Sequence, residues 1–129
     1  MTSLWPTLTV QNVEVSLSFY RDDLGLPQDF CERDASGVAF MATVEVGDTV
    51  IMFESPDPAL PPEPRRGERC PIAITILFPP LYDLASLFAR LREKGHTICS
   101  DLGNRPWGNR DFSVRDPDGY LLILAQPLT

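Results

Sequence analysis

The sequence predicts an α+β protein built from two copies of a β-α-β-β-β module. Two observations carry this. Apolar alternation and helical stripes recur in the same order along the 129 residues, with the helix-ending glycines Gly25 and Gly95 standing 70 positions apart. The second copy closes on the run Asp111-Phe112-Ser113-Val114-Arg115-Asp116-Pro117-Asp118-Gly119-Tyr120-Leu121-Leu122-Ile123-Leu124, which reads as a β-hairpin. Asp116 suits the first turn position, Pro117 presets φ at the second, Asp118 is tolerated at the third, and Gly119 closes the turn.

The first module spans residues 4–55. Leu8 and Val10 mark a short strand. Asn12 then caps a helix, with Glu14 in its first turn. Val13, Leu17, Tyr20 and Leu24 fall on one helical stripe that Gly25 ends. Strands follow at Gln28 to Arg33, Val38 to Val46 and Thr49 to Glu54. They are separated by turns at Asp34-Ala35-Ser36-Gly37 and Gly47-Asp48. Residues 56–70 form a proline-rich linker, where Pro56, Pro58, Pro61, Pro62 and Pro64 exclude continuous helix or central strand. The second module spans 71–127 of what reads as a single domain. Ile72, Ile74 and Ile76 alternate as a strand, and Pro79-Pro80 introduces a helix with a Leu84, Leu87, Phe88, Leu91 stripe. A strand around His96 to Cys99 leads to a long loop through Asn109, then the hairpin.

Bulk properties exclude several functions. A net charge of −7 and a pI near 4.5 speak against a nucleic-acid surface and are compatible with cationic small ligands. No stretch approaches a membrane span, and no basic segment leads into an apolar one near Met1, so the expected setting is cytoplasmic. Cys31, Cys70 and Cys99 show no metal-type spacing and form no even set for a disulfide framework.

The segment Val10-Gln11-Asn12-Val13-Glu14-Val15-Ser16-Leu17-Ser18-Phe19-Tyr20-Arg21-Asp22-Asp23-Leu24-Gly25-Leu26 resembles the first helix of the glyoxalase / bleomycin-resistance / extradiol-dioxygenase (vicinal oxygen chelate) superfamily. Asn12 stands where that pattern usually has Asp. Trp107-Gly108 and Asp116-Pro117-Asp118-Gly119 resemble the second half of its bleomycin-resistance-like branch. The resemblance implies that the paired modules form a cupped mixed sheet, usually completed in a homodimer, with ligands inside the cup.

Strand alternation assigns the two faces. Leu8, Val10, Ile51, Phe53, Ile72, Ile74, Ile76, Phe112, Val114, Leu122 and Leu124 face the helices. Trp5, Thr7, Thr9, Val50, Met52, Glu54, Asp111, Ser113, Arg115, Leu121, Ile123 and Ala125 face the opposite side. In the family, metal ligands stand near the start of the first and fifth strands and on the fourth and eighth. The matching positions here are Trp5, Met52 or Glu54, Pro71 and Ile123, and only Glu54 offers a ligand suited to a divalent ion. No cofactor is therefore expected.

His96 follows a helix end and has no sequence neighbour to serve as an acid–base partner, so no catalytic residue is assigned. Trp107 is suited to stacking on a planar ligand and Arg110 to gripping a carboxylate or phosphate. The expected ligand-binding set is Trp5, Thr7, Met52, Glu54, Trp107, Arg110, Ser113 and Ile123. The expected partners are a small organic ligand, a cationic or aromatic antibiotic among the candidates, and a second copy of the chain, with neither nucleic acid nor membrane. The function so read is metal-independent binding, in the manner of antibiotic sequestration. One alternative is a metal-dependent lyase, isomerase or dioxygenase with displaced ligands such as Glu54, Asp111 and His96. Another is a non-catalytic structural dimer whose cup is filled by Trp5.

Overall fold

The computed structural model describes residues 2–56, 59 and 66–128. The prolines Pro58, Pro61, Pro62 and Pro64 of the expected linker lie outside the described residues. The chain divides into two compact units, Met1–Arg66 and Gly67–Thr129. The first holds β1 (Thr7–Thr9), α1 (Val13–Leu17), β2 (Gln28–Arg33), β3 (Ala39–Val46) and β4 (Thr49–Glu54). The second holds β5 (Ala73–Leu77), α2 (Leu84–Glu93), β6 (Ile98–Asn104), β7 (Asn109–Arg115) and β8 (Leu121–Pro127). Both sheets have the same topology, β1-β4-β3-β2 and β5-β8-β7-β6, with one parallel pair and two antiparallel pairs each. The fold is α+β and its module order is duplicated, as the sequence predicts. No helix among the described residues is long and apolar enough to cross a membrane.

In the first unit the Asn12 side chain caps α1, accepting a hydrogen bond from the Val15 N–H at 3.2 Å. The stripe Val13, Leu17, Tyr20 and Leu24 is fully buried. The helix nevertheless departs from the expected period after Leu17, continuing as a π-helix over Ser18–Asp23 in which the Leu24 N–H donates to the Phe19 carbonyl at 3.0 Å. The wider turn brings Phe19 inward beside Tyr20. Their rings meet edge to face at 5.1 Å, and Tyr20 lies 4.7 Å from Phe53 on β4.

In the second unit Ile76, Phe112, Val114, Leu122 and Leu124 pack under Leu84, Leu87 and Leu91 of α2, all of them buried. Two expectations need correction. Ile72 does not face the helix: pairing with β8 begins only at Ala73, and Ile72 is 65% exposed next to Pro71, which has no N–H for a ladder. The loop from Asp101 to Asn109 is also shorter than expected. β6 runs through a register shift as far as Asn104, and only Arg105 to Gly108 connect it to β7.

Pro79-Pro80 lead not directly into helix but into a short turn before the N-cap Asp83. There the buried Gln126 amide donates to the carbonyls of Pro79, Pro80 and Tyr82 at 3.2, 3.1 and 2.8 Å. These bonds fix the entry to α2. The hairpin turn forms as read. Gly119 N–H donates to the Asp116 carbonyl at 2.9 Å, and Asp116 Oδ1 accepts from the Asp118 and Tyr120 N–H groups at 2.9 Å each. Gly119 adopts φ 88°, and a Cβ there would stand 2.5 Å from Glu68 Cγ, so both backbone and space require glycine. Gly67 packs as closely on the same turn. Its N–H donates to the Asp118 carbonyl at 3.0 Å, and any Cβ would overlap the Tyr120 backbone.

Candidate functional site

The sheet face opposite α2 is built by alternation along β5, β8 and β7. One cross-strand row reads Thr75, Ile123, Ser113, Ser100; the next reads Leu77, Ala125, Asp111, Gly103. Beside these rows lies an open pocket of about 250 Å³ lined by Ser100, Arg105, Trp107, Asp111, Ser113, Leu121 and Ile123. Leu121 and Ile123 supply an apolar floor from β8. Ser100 and Ser113 share a hydrogen bond of 2.6 Å across the β6–β7 pair. Trp107, in the four-residue connection, is 70% exposed and gives the pocket an aromatic wall.

Arg105 organises the polar side. Its Nε donates to Asp111 Oδ1 at 2.8 Å, and its Nη2 donates to the carbonyls of Asp101 and Asp111 at 2.7 and 3.2 Å. The guanidinium lies over the backbone of Gly103, with Nη1 3.5 Å from where a Cβ would stand. Arg105 is thus clamped to both strands it connects. The ion pair is asymmetric, since the Asp111 side chain is 7% exposed and that of Arg105 26%. Sequence reading missed Arg105. The available signal was Asp111 itself, a carboxylate on an inward-reading strand position that needs a cation within reach.

Of the expected ligand-binding residues, Trp107, Ser113 and Ile123 line this pocket together. Arg110 does not, because it alternates to the α2 side of β7 along with Phe112. There it faces Asp83, whose carboxyl is held below its ordinary value first by hydrogen bonds from Ser86 and secondarily by the Arg110 charge. Arg115 donates to the Gly119 carbonyl of its own turn at 3.0 Å.

The remaining four belong to the first unit. Thr7 pairs with Met52, and Glu54 with Thr9, so Thr7, Met52 and Glu54 share the sheet face opposite α1. Trp5 precedes β1 and is 58% exposed. Thr43, in the same row as Met52, is buried and donates to Asp29 Oδ2 at 3.3 Å.

The donor chemistry of the second-unit pocket does not fit a divalent metal. Its one carboxylate is paired with a guanidinium whose charge repels a cation, and Ile123 offers no lone pair. Among the described residues no three of His, Cys, Asp and Glu are grouped to hold an ion.

Solved structures similar along nearly the whole chain include TioX from Micromonospora sp. ML1, with a TM-score of 0.73 at 19% identity, covering 99% of this chain and 98% of that one. A glyoxalase/bleomycin resistance protein from Streptomyces sp. CB03234 has a TM-score of 0.68 at 23% identity, covering 97% and 100%. TnmS3, an antibiotic binding protein from the same Streptomyces strain, has a TM-score of 0.68 at 24% identity, covering 98% and 97%. At these identities the likeness establishes the fold. No curated protein matches the sequence. The family model of the Glyoxalase/Bleomycin resistance protein/Dioxygenase superfamily matches residues 3–124, nearly the full length that carries both duplicated modules. The chain belongs to that superfamily.

Proposed function

We propose that this protein binds an organic small molecule without a metal, in the pocket on the open face of its second sheet, and acts by sequestration. The observation that carries the reading is the lining itself. An exposed indole, an apolar floor and a clamped arginine converge on one pocket, with no nucleophile–base pair among the lining residues. An antibiotic-binding protein among the structural neighbours supports the same ligand class. Trp107 stacks on the ligand, Leu121 and Ile123 support it, and Ser100 with Ser113 offer hydroxyls. The face bearing Thr7, Met52 and Glu54, with the preceding Trp5, is a separate candidate surface.

Tryptophan fluorescence tests this directly. Titration with a panel of aromatic antibiotics and aromatic acids should change the emission of the wild type and of Trp5→Phe. Trp107→Phe should lose the response, and Trp107→Ala should weaken affinity about tenfold, the size of a lost stacking contact. A response that follows Trp5 instead would move the site to the first unit. If no member of the panel perturbs either indole, the reading fails.

We further propose that the protein works as a homodimer. Support comes from the apolar side chains left exposed beside the edge strands β1 and β5, namely Leu4, Trp5, Ile72 and Leu77. Light scattering should give twice the 14.4 kDa chain mass; the mass of a single chain at micromolar concentration would refute it.

A further inference from the structure

The acidic composition suggests a cationic ligand, but the pocket is arranged for the opposite charge. Its single carboxylate, Asp111, is nearly sealed from solvent and already bonded to Arg105, whose side chain is the more exposed of the two. A ligand entering the pocket therefore meets the guanidinium before it meets the carboxylate.

Donor capacity remains unspent in the pocket, alongside acceptor lone pairs on the two serine hydroxyls. Arg105 uses Nε and Nη2, and its Nη1 has no hydrogen bond among the described residues. The Trp107 indole N–H likewise has no partner among them. Ser100 and Ser113 share one bond, which leaves one hydroxyl hydrogen to give. The residues that carry these donors line the pocket together with its apolar floor.

Resting on the binding reading above, we propose that this pocket selects planar aromatic ligands bearing an acceptor oxygen, a carboxylate or phenolate above all, and discriminates against aromatic cations. Arg105 Nη1 and a serine hydroxyl meet the oxygen while Trp107 covers the ring. Asp111 positions Arg105 and does not contact the ligand. The clamp matters because a guanidinium held at three acceptors loses little further freedom when a ligand arrives. The net charge of −7 opposes an anion only at long range, where salt screens it; the local pair acts at contact distance.

A matched pair of probes tests the inference, 2-naphthoate against 2-naphthylmethylammonium, titrated calorimetrically at fixed ionic strength. The naphthoate should bind at least about tenfold more tightly, the scale of one charge-assisted hydrogen bond. Arg105→Gln should abolish the preference and Arg105→Lys should keep its sign, with thermal unfolding run on each variant to establish that it is folded. Equal or tighter binding of the cation by the wild type would overturn the charge selection and leave the binding reading standing. An undiminished naphthoate preference in folded Arg105→Gln would overturn the role given to Arg105. Failure of both probes to bind would overturn the binding reading and this inference together.

Discussion

Asp111 and Arg105 show how one strand position determines the chemistry around it. Alternation along β7 sends Asp111 to the open face, where near-complete burial makes an unpaired carboxylate costly, and the connection back to β6 supplies the guanidinium at 2.8 Å. Ser16 presents the opposite case. It lies on the buried side of α1, and its hydroxyl has no hydrogen-bond partner among the described residues. Ser16→Ala removes an unsatisfied polar group and improves helix propensity, so it should stabilise the protein by about 1 kcal/mol. Chemical denaturation reads this from the midpoint. A destabilised Ser16→Ala would mean that the hydroxyl is satisfied in solution.

Elements differ in how plainly the chain announces them. β4 and the hairpin turn are legible to the residue, because alternation and turn chemistry act locally on them. The π-helical turn after Leu17 is not: it depends on burying Phe19 beside Tyr20 while Tyr20 packs on Phe53 of β4, a tertiary demand that a 3.6-residue stripe does not encode. β6 escapes for a related reason. Asp101, Gly103 and Asn104 read as loop, yet a register shift and the Arg105 clamp hold them in the sheet. The candidate site divides the same way. Trp107, Ser113 and Ile123 follow from alternation and exposure, whereas Arg105 emerges only once β6 and β7 are paired.

The α2 cap carries a pH dependence. Asp83 accepts from the Ser86 N–H at 3.1 Å and its hydroxyl at 2.6 Å, and these bonds hold the carboxyl below its ordinary value. A lowered folded pKa contributes stability above the unfolded value, and that stability is lost as pH falls through the folded value. Asn caps as well as Asp, so Asp83→Asn should be less stable than wild type at neutral pH, with the gap closing in acid. A gap independent of pH, measured by denaturation across the range, would show that the charge contributes nothing.

For the whole molecule, duplication explains why one topology supports two open sheet faces of different chemistry. The first presents Thr7, Met52 and Glu54; the second presents a guanidinium, an indole and an apolar floor. Superfamily membership is carried by structural punctuation, the capped first helix and the Asp116–Gly119 turn, and that punctuation is indifferent to what the faces bind. The proposed binding chemistry rests on side chains such as Ile123 and Arg105, which the family pattern does not dictate. Metal-independent binding at the second sheet is the central claim, and repeating the Trp107 fluorescence titration in EDTA tests it most directly. The account predicts an unchanged dissociation constant with and without chelator. Binding abolished by EDTA and restored by an added divalent ion would contradict it.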